Sequence, residues 1–430
     1  MKIFKNFYFN RVLKKLANLQ LAIFLLFTIG ILIAFGTIIE QDQNLSFYQE
    51  NYPENKPIFG FITWKFITSL GLDNIYTNSW FFLILSFFGF SLIACTFTTQ
   101  LPSLKKFKLW KFFANLKQIQ NFNFKEQIEC NFTNNLTYQI YKNKYHIFRQ
   151  GKKQYSYSGL LGRVGPIIVH FSIIVLLLGT SFGSFTSYNV QEIIPRGEVC
   201  HLQNLVKSSV LSKINPEFAW RVNNFWITYT KEGQINQFYS DLSILNNKGN
   251  ELKRKTIFVN EPLVFENLTI YQTDWDILGI KVNFNNDSII QFPAKKITKS
   301  GRKFWLVSIP LQNKNIVALL NDLKGNILLY DDNGVLLKEE NIGTTFQIDG
   351  ENKIKIDDIL VSTGLQIKED PGIRTIYFAF FLIMISVYIS FLSYSQIWTL
   401  QEKEKVFLAG TTNRAVLTFQ EDFKKLNKIK

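Results

Sequence analysis

Histidine and cysteine are the side chains of this 430-residue chain best suited to binding a transition metal, and it has only three of each. One histidine, His170, lies in "RVGPIIVHFSIIVLLLGTSFG", residues 163–183. This stretch is apolar and long enough to cross a bilayer, which takes about 20 residues. Pro166 suits the first turn of a helix, which places His170 about 6 Å from that end of the span. Because an unpaired ionisable side chain is costly in hydrocarbon, His170 is a functional candidate.

The surroundings of His170 limit its chemistry. Proton relays in membranes use acidic partners, and no apolar stretch of the chain contains Asp or Glu. A zinc site takes three or four ligands, whereas the spans offer one histidine and one cysteine, Cys95. Haem iron needs a single axial imidazole from this chain, which favours haem among the metal options. The alternative is a shallow histidine that hydrogen-bonds a neighbour or reaches the interface.

On a helix that turns 100° per residue, four side chains lie within about 40° of His170: Ile174, Leu177, Ser181 and Ser184. The hydroxyl groups on this face predict that it looks into a helix bundle.

The last apolar stretch has small residues on one face, Ser386, Ser390 and Ser393, which allow close packing against a partner helix or the third span. Lipid-facing serine is the alternative. Trp80 and Trp398 are predicted at span ends, where interfacial tryptophan is common.

The remaining histidines and cysteines do not form a recognisable catalytic group. His146 is predicted on the surface of a strand. His201 adjoins Cys200, but adjacent residues of an extended chain point to opposite faces. Cys95, Cys130 and Cys200 fall in different compartments of the predicted topology and form no C-x-x-C motif, so we expect no internal disulfide. Incidental thiols are the favoured interpretation; the sequence does not decide a redox role for Cys130 or Cys200.

Four apolar stretches predict a four-span membrane protein: Leu19–Ile39, Trp80–Phe97, the His170 stretch and Ile376–Trp398. The first lacks the cleavage pattern of a removable signal peptide, so we expect it to be retained.

Charge alternates between the segments that join these spans. Residues 99–163 hold twelve basic and two acidic side chains, residues 40–79 hold two and five, and residues 187–374 hold 22 of each. The positive-inside rule then places both termini and residues 99–163 on the cytoplasmic or stromal side. The net charge of +15 therefore reflects topology, with anionic lipid as its expected contact, and we expect no nucleic-acid partner.

The predicted domains are residues 1–98 with spans one and two, the basic segment 99–163, span three at 164–186, an external domain at 187–374, span four at 375–398 and a tail at 399–430. The external domain has short strand-like runs divided by turn signals such as "NNKGN" and "DDNG", which predict a mostly antiparallel β-domain of sandwich or barrel type.

Smaller segments also carry predictions. A helix on the membrane surface is predicted for "LPSLKKFKLWKFFANLKQ", and an interfacial helix is predicted for "PIFGFITWKFITSLGL". A β-hairpin unit is predicted for "NLTYQIYKNKYHIFRQGKKQYSYSG". "NEPLVFENLTIYQTDW" is predicted to form a strand pair with a turn, for packing or for binding.

Four strings together resemble the ResB/CcsB family of System II cytochrome c biogenesis, in its plastid form. They are "GTIIEQ", "GRVGPIIVHFSIIVLLLGTSFGSF", "NEPLVFENLTIYQTDW" and "DPGIRTIYFAFFLIMISVYISFLSYSQIW", with the later "TNRA" at Thr412–Ala415 in support. Their order and spacing cover nearly the whole chain, while the external domain between them looks divergent.

The resemblance implies a subunit that pairs with a CcsA-type membrane protein. Together the two would carry haem across the membrane and hold it for attachment to the CxxCH cysteines of apocytochrome c. The family's span-three histidine matches His170 and is implicated as one axial haem ligand, with the other supplied by the partner. The external domain would help to receive the apocytochrome, and separate thiol-reducing proteins would supply reductant. The chain would thus be a subunit of a synthase complex and not an enzyme alone.

The absence of a transit peptide before span one and the A+T-like composition favour synthesis inside a plastid. We expect the thylakoid membrane, with the large domain in the lumen; a bacterial cytoplasmic membrane is the alternative. The competing functions are a membrane scaffold that binds no haem and a transporter subunit with an external interaction domain.

Overall fold

The computed structural model describes residues 11–129, 133–214, 218–285, 287–299, 302–311, 315–347, 353–403 and 405–427. They fall into two compact units, the first formed by Met1–Ser184 with Gly372–Lys430 and the second by Phe185–Pro371. The helices with both ends described are α1 (Leu19–Ile38), α2 (Leu45–Asn51), α3 (Trp64–Leu70), α4 (Ser79–Cys95), α5 (Leu101–Phe107), α6 (Leu116–Gln120), α7 (Thr133–Lys142), α8 (Gly165–Thr186), α9 (Ile373–Phe391) and α10 (Val416–Asn427).

The strands of the first unit are β1 (Phe124–Glu129), β2 (His146–Gln150), β3 (Lys153–Ser158), β19 (Ser395–Glu402) and β20 (Lys405–Thr412). Those of the second unit are β4 (Tyr188–Pro195), β5 (Val199–Cys200), β6 (Leu205–Ser208), β7 (Phe218–Tyr229), β8 (Ile235–Asn246), β9 (Glu251–Phe258), β10 (Leu263–Phe265), β11 (Leu268–Phe284), β12 (Ser288–Lys299), β13 (Arg302–Pro310), β14 (Asn315–Leu320), β15 (Asn326–Tyr330), β16 (Leu336–Asn341), β17 (Thr345–Gln347) and β18 (Lys353–Glu369).

Within the described residues, four helical segments are long and apolar enough to cross a membrane, in agreement with the four predicted spans. They are α1, the continuous stretch Ser79–Phe107, α8 and α9. The ends of α1 and α4 follow local capping chemistry: the side-chain oxygens of Asn18 and Asn78 accept hydrogen bonds from the backbone N–H groups of Gln20 and Trp80, at 2.9 and 3.4 Å.

The second span does not end where hydropathy fades. After Cys95 the chain makes one π-helical turn, Thr96–Gln100, and continues directly into α5. The predicted membrane-surface helix at Leu101–Gln118 is therefore wrong as one element, because its first turns extend the span. Residues 109–115 are irregular, and the short α6 follows.

The predicted fourth span is wrong at its end. Helix α9 stops at Phe391, and Trp398 lies on strand β19, 5% exposed, where its indole N–H donates to the Lys111 carbonyl at 2.9 Å. Its ring packs between Phe113 and Phe122. Trp398 is a core residue and not an interfacial anchor.

One antiparallel sheet joins the basic segment to the C-terminal tail in the first unit, with strand order β1-β20-β19-β3-β2. The predicted hairpin is confirmed at His146–Ser158, where β2 pairs with β3. The residues before it are not strand, because Thr133–Lys142 forms the amphipathic helix α7. Helices α7 and α10 bury Leu136, Ile140, Phe419 and Phe423 against the sheet.

The predicted interfacial helix in residues 57–72 is shorter than expected. Ile58 and Ile62 form an isolated bridge, and helix α3 begins only at Trp64, capped by the Thr63 hydroxyl. Gly71 ends it in the left-handed conformation at φ 65°, which glycine adopts without steric cost.

The second unit is an antiparallel β-domain, as predicted. Its long central strands, β11 and β18, pair along their length within the sheet β16-β15-β14-β13-β12-β11-β18-β4-β6, while β5-β7-β8-β9 form a second sheet. Trp220 and Leu242 of the second sheet share one core with Ile270, Leu365 and Ile367 of the first. The two sheets thus pack as a sandwich in this region.

Candidate functional site

His170 lies on α8, at its sixth residue, and is half-buried against the end of the second span. Its Nδ1 lies 3.0 Å from the Thr96 hydroxyl, and its Nε2 lies 3.0 Å from the Gln100 side-chain nitrogen. Thr96 and Gln100 are the first and last residues of the π-helical turn. Such turns are rare and occur frequently at functional sites. One turn therefore engages both nitrogens of the ring.

The contacts of the two partners favour one tautomer of the neutral ring. The Thr96 hydroxyl donates to the Leu92 carbonyl at 2.8 Å, so its oxygen is left to accept from His170. The neutral ring is then protonated at Nδ1 and has its lone pair at Nε2. The Gln100 amide N–H donates to that lone pair. A histidine whose Nδ1–H is held by a second group is the arrangement found for imidazole ligands of metals.

Only one of the two polar side-chain atoms of Gln100 has a hydrogen-bond partner in this position. Its Oε1 atom is buried without a hydrogen-bond partner, and such an acceptor costs about 1–3 kcal/mol. The position of the Gln100 amide over His170 Nε2 therefore costs free energy. Rotation of the Gln100 side chain would expose the lone pair to a ligand, so the residues present fit a metal that needs one imidazole.

The predicted inward face of α8 is confirmed. Ile174 and Leu177 pack against Phe88 and Leu92 of α4, and the Ser184 hydroxyl donates to the Tyr76 carbonyl at 3.1 Å. A groove of about 160 Å³ runs along the same seam between α4 and α8; Ser181, the remaining residue of the predicted face, is among the side chains that line it.

Close packing fixes the register of α8, the helix that carries His170, against α9. A Cβ atom on Gly165 would lie 2.6 Å from the Ser390 Cα, and one on Gly179 would lie 3.1 Å from Thr375. Ser386 is fully buried. The serine stripe of the fourth span therefore packs on span three, one of the two options predicted.

Two more glycines extend this contact towards the Pro166 end. A Cβ atom on Gly162 would lie 2.0 Å from the Leu392 carbonyl oxygen, and one on Gly159 would lie 1.9 Å from that of Ser393. Sequence reasoning missed these positions, although their signal is plain: Gly159, Gly162 and Gly165 recur every third residue just before the span.

No hydrogen bond or ring contact joins His170 to another predicted candidate among the described residues. His146 is exposed on β2, with its ring 5.2 Å from that of Tyr157. His201 is exposed in the second unit. Cys95 is half-buried near the end of α4, and Cys130 lies outside the described residues. Within the described part of the chain, no three His, Cys, Asp or Glu side chains gather to hold a metal ion.

Cys200 has the environment of a structural thiol. Its Sγ donates to the His201 carbonyl at 3.0 Å. Burial, together with the nearby carboxylates of Glu192 and Glu198, raises the pKa of the thiol to about 11. The nucleophilic thiolate is therefore disfavoured at neutral pH.

The "NEPLVFENLTIYQTDW" segment forms the predicted strand pair, β10 with β11. Trp275, at its end, packs 5.2 Å from Trp305 and 6.3 Å from Phe225. The indole N–H of Trp305 donates to Asp276. These contacts give the end of the segment a packing role.

Sequence reasoning also missed the two residues that hold His170. "TFTTQ", residues 96–100, is a run of polar side chains directly after a span. That signal marks a polar patch, but it does not say which helix the patch faces.

The chain matches the model of the ResB-like family over residues 19–354 and 292–424. It is 58% identical over 421 residues to the cytochrome c biogenesis protein Ccs1 of Emiliania huxleyi, covering 97% of this chain and 96% of the relative. It is 41% identical to the protein of the same name from Rhodomonas salina, covering 99% of this chain and 98% of the relative. It is also 41% identical to the cytochrome c biogenesis protein CcsB of Picosynechococcus sp., covering 95% of this chain and 89% of the relative. On this similarity along nearly its whole length, the chain belongs to the ResB-like family.

Proposed function

We propose that this protein is a membrane subunit of a c-type cytochrome biogenesis complex, and that His170 is an axial ligand of haem inside the membrane. The relatives named for cytochrome c biogenesis support the first part. The observation that carries the second is the pair of contacts at His170, in which the Thr96 hydroxyl lies 3.0 Å from Nδ1 and the half-satisfied amide of Gln100 lies 3.0 Å from Nε2.

The chain's own residues would perform three tasks. Thr96 keeps the proton on Nδ1, so that Nε2 is always the basic nitrogen. Gln100 covers Nε2 until its side chain rotates away. The apolar seam between α4 and α8, with Leu177 on one side and Phe88 on the other, keeps water from the far side of the imidazole. Haem, when bound, supplies the iron for this nitrogen and the vinyl groups to which cysteine thiols add.

This site needs partners. The described spans provide one imidazole, so we assign the second axial ligand to a CcsA-type membrane protein. The second unit, a β-domain with its own core, is proposed to receive apocytochrome c. Thiol-reducing proteins would act separately, because the described thiols offer no dithiol pair.

We further propose a plastid thylakoid location, with the second unit in the lumen. Relatives from algae and a cyanobacterium support a photosynthetic membrane. The alternating charge supports the orientation. Trypsin added from the stromal side should cut the irregular, exposed stretch around Lys111 and spare residues 187–374; the opposite pattern would reverse the topology.

The ligand role is tested by co-expressing the chain with a CcsA-type partner and recording the haem spectrum of the purified complex. His170→Ala should lose haem and cytochrome c assembly, and added imidazole should restore part of the haem signal. His146→Ala is the matched control, since His146 is exposed in the same unit. Unchanged haem content and assembly in His170→Ala would refute the ligand role.

A membrane scaffold that binds no haem is the second candidate. The observation in its favour is that both ring nitrogens of His170 already have partners within the bundle. On that hypothesis His170→Gln, which keeps a polar side chain, retains full cytochrome c assembly. On the haem hypothesis it loses assembly, because an amide does not replace the imidazole.

A further inference from the structure

Arg163 lies just before α8 and is held by aromatic rings. Its guanidinium carbon is 4.0 Å from the ring centroid of Phe107 and 5.1 Å from that of Tyr394. Its Nε atom is buried without a hydrogen-bond partner. Buried donors are nearly always paired in folded proteins, so an orphaned one points to a missing acceptor.

A second arginine meets the same segment of the chain. Arg414 donates from Nη1 to the Ser390 carbonyl at 2.5 Å, and its guanidinium lies 5.4 Å from the ring of Phe391. Arg163 thus contacts Tyr394 while Arg414 contacts Ser390 and Phe391, four residues or fewer away.

The two positive charges are close enough to repel each other. Burial lowers the pKa of Arg163, and the charge of Arg414 acts in the same direction. Neither guanidinium forms an ion pair with a carboxylate in the described part of the chain. Cation–π contacts hold each side chain in place, but they supply no counter-charge for the pair. Arg414 is exposed, so the pair is open to an anion from outside the bundle.

Arg163 continues the line of contacts between the second and third spans that includes His170. Gln100 faces His170, and seven residues further along the same helical segment Phe107 faces Arg163, which precedes His170 by seven residues. Seven helical residues correspond to about 10 Å along the axis. The arginine pair therefore lies beyond the Pro166 end of the span, where a ligand bound at His170 would meet the polar interface.

Space for a ligand is present beside Arg414. It lines a cavity of about 420 Å³ whose wall also includes the cationic residues Lys142 and Lys144. Asp422, the carboxylate in this wall, is engaged by Lys425 at 3.0 Å. The unneutralised charge around this end of the unit is positive.

We propose that Arg163 and Arg414 form an oxyanion-binding site at the Pro166 end of α8. Guanidinium groups bind carboxylates and phosphates through paired N–H donors. The anion would be either the carboxylates of a porphyrin bound on the His170 seam or the headgroup of an anionic lipid. The porphyrin source rests on the proposed function; the lipid source does not.

The first arm of the test uses the full-length chain in detergent, with metal-free protoporphyrin IX and its dimethyl ester as fluorescent probes. Without iron, the probes need no axial ligand, so the result does not depend on the proposed ligation by His170. The wild-type protein should prefer the diacid by about 10- to 100-fold, the usual value of a charge-assisted hydrogen bond. Arg163→Gln and Arg414→Gln should lose that preference, and Arg149→Gln, an exposed arginine of β2, should keep it.

The second arm places the chain in phosphatidylcholine nanodiscs with and without phosphatidylglycerol and measures the melting temperature. Stabilisation by phosphatidylglycerol that disappears in Arg163→Gln and Arg414→Gln identifies a lipid headgroup as the anion. If Arg163→Gln fails to fold, Arg414→Gln and Arg163→Lys carry the same comparisons. If neither the diacid preference nor the lipid stabilisation depends on these arginines, the proposal is wrong.

Discussion

Thr96 and Gln100 hold opposite nitrogens of His170, so their removal is expected to change haem affinity in opposite directions. Gln100→Leu removes the amide that occupies Nε2 at 3.0 Å. A hydrogen bond of this kind contributes a net of about 0.5–1.5 kcal/mol. Because ligation at Nε2 no longer has to break it, haem should bind about 2- to 13-fold more tightly.

Thr96→Val keeps the shape of the side chain but removes the acceptor of Nδ1–H, also at 3.0 Å. Loss of such a partner typically weakens metal binding about 10- to 100-fold. That range corresponds to about 1.4–2.7 kcal/mol. The ring then has no fixed tautomer, and part of the protein presents a protonated Nε2 that cannot ligate.

The assay is a haem titration of the chain co-purified with a CcsA-type partner, followed by the Soret absorbance. Thr98→Val is the matched control. Its hydroxyl lies in the same π-helical turn and donates to the Ala94 carbonyl at 2.7 Å without touching His170. The control should leave the affinity unchanged.

Two results would refute the reasoning. If Gln100→Leu weakens haem binding, the amide assists ligation and does not cover the nitrogen. If Thr98→Val matches Thr96→Val, the loss comes from the helix and not from the tautomer of His170.

Three further outcomes are expected. Gly162→Ala should destabilise the bundle by about 1–3 kcal/mol, since the new Cβ would lie 2.0 Å from the Leu392 carbonyl oxygen; thermal unfolding in detergent measures it. Trp398→Ala should lower the free energy of unfolding of the five-stranded sheet by about 3–5 kcal/mol, as for a buried aromatic side chain, and limited proteolysis should detect the loss. Cys200 should react with iodoacetamide far more slowly than a free thiol at pH 8 and reach half of its full reactivity only near pH 11, because its raised pKa keeps it protonated; mass spectrometry across pH measures this.

Each of these has a control or a contradicting result. A Cβ atom on Gly30 would have no other atom within 4 Å, so Gly30→Ala should leave the stability unchanged. Equal losses of stability in Gly30→Ala and Gly162→Ala would contradict the close contact of Gly162 with Leu392. A small effect of Trp398→Ala would restore the interfacial-anchor prediction. Rapid alkylation of Cys200 at pH 8 would show that its thiol is more acidic than its burial implies.

The four spans could be predicted because crossing a bilayer is a local property of length and hydropathy, and the strands of the second unit because turn signals separate them. The end of span four could not be predicted from the sequence. The apolar run continues through "SFLSYSQIW", but the chain turns extended at Leu392, and Ser395–Leu400 pair with β3, more than 200 residues away in sequence. Hydropathy does not distinguish a buried strand from the end of a span.

The sequence by itself determined that His170 lies in a span and that its face looks into the bundle. Only the tertiary structure decided what holds it. Thr96 and Gln100 belong to a different span, and the register of the two antiparallel helices depends on side-chain packing such as that of Phe88 and Leu92 against Ile174. The same packing decided that Arg163 and Arg414, more than 200 residues apart in the chain, meet one short segment. Periodicity describes each helix alone, whereas the chemistry of the site arises where two of them touch.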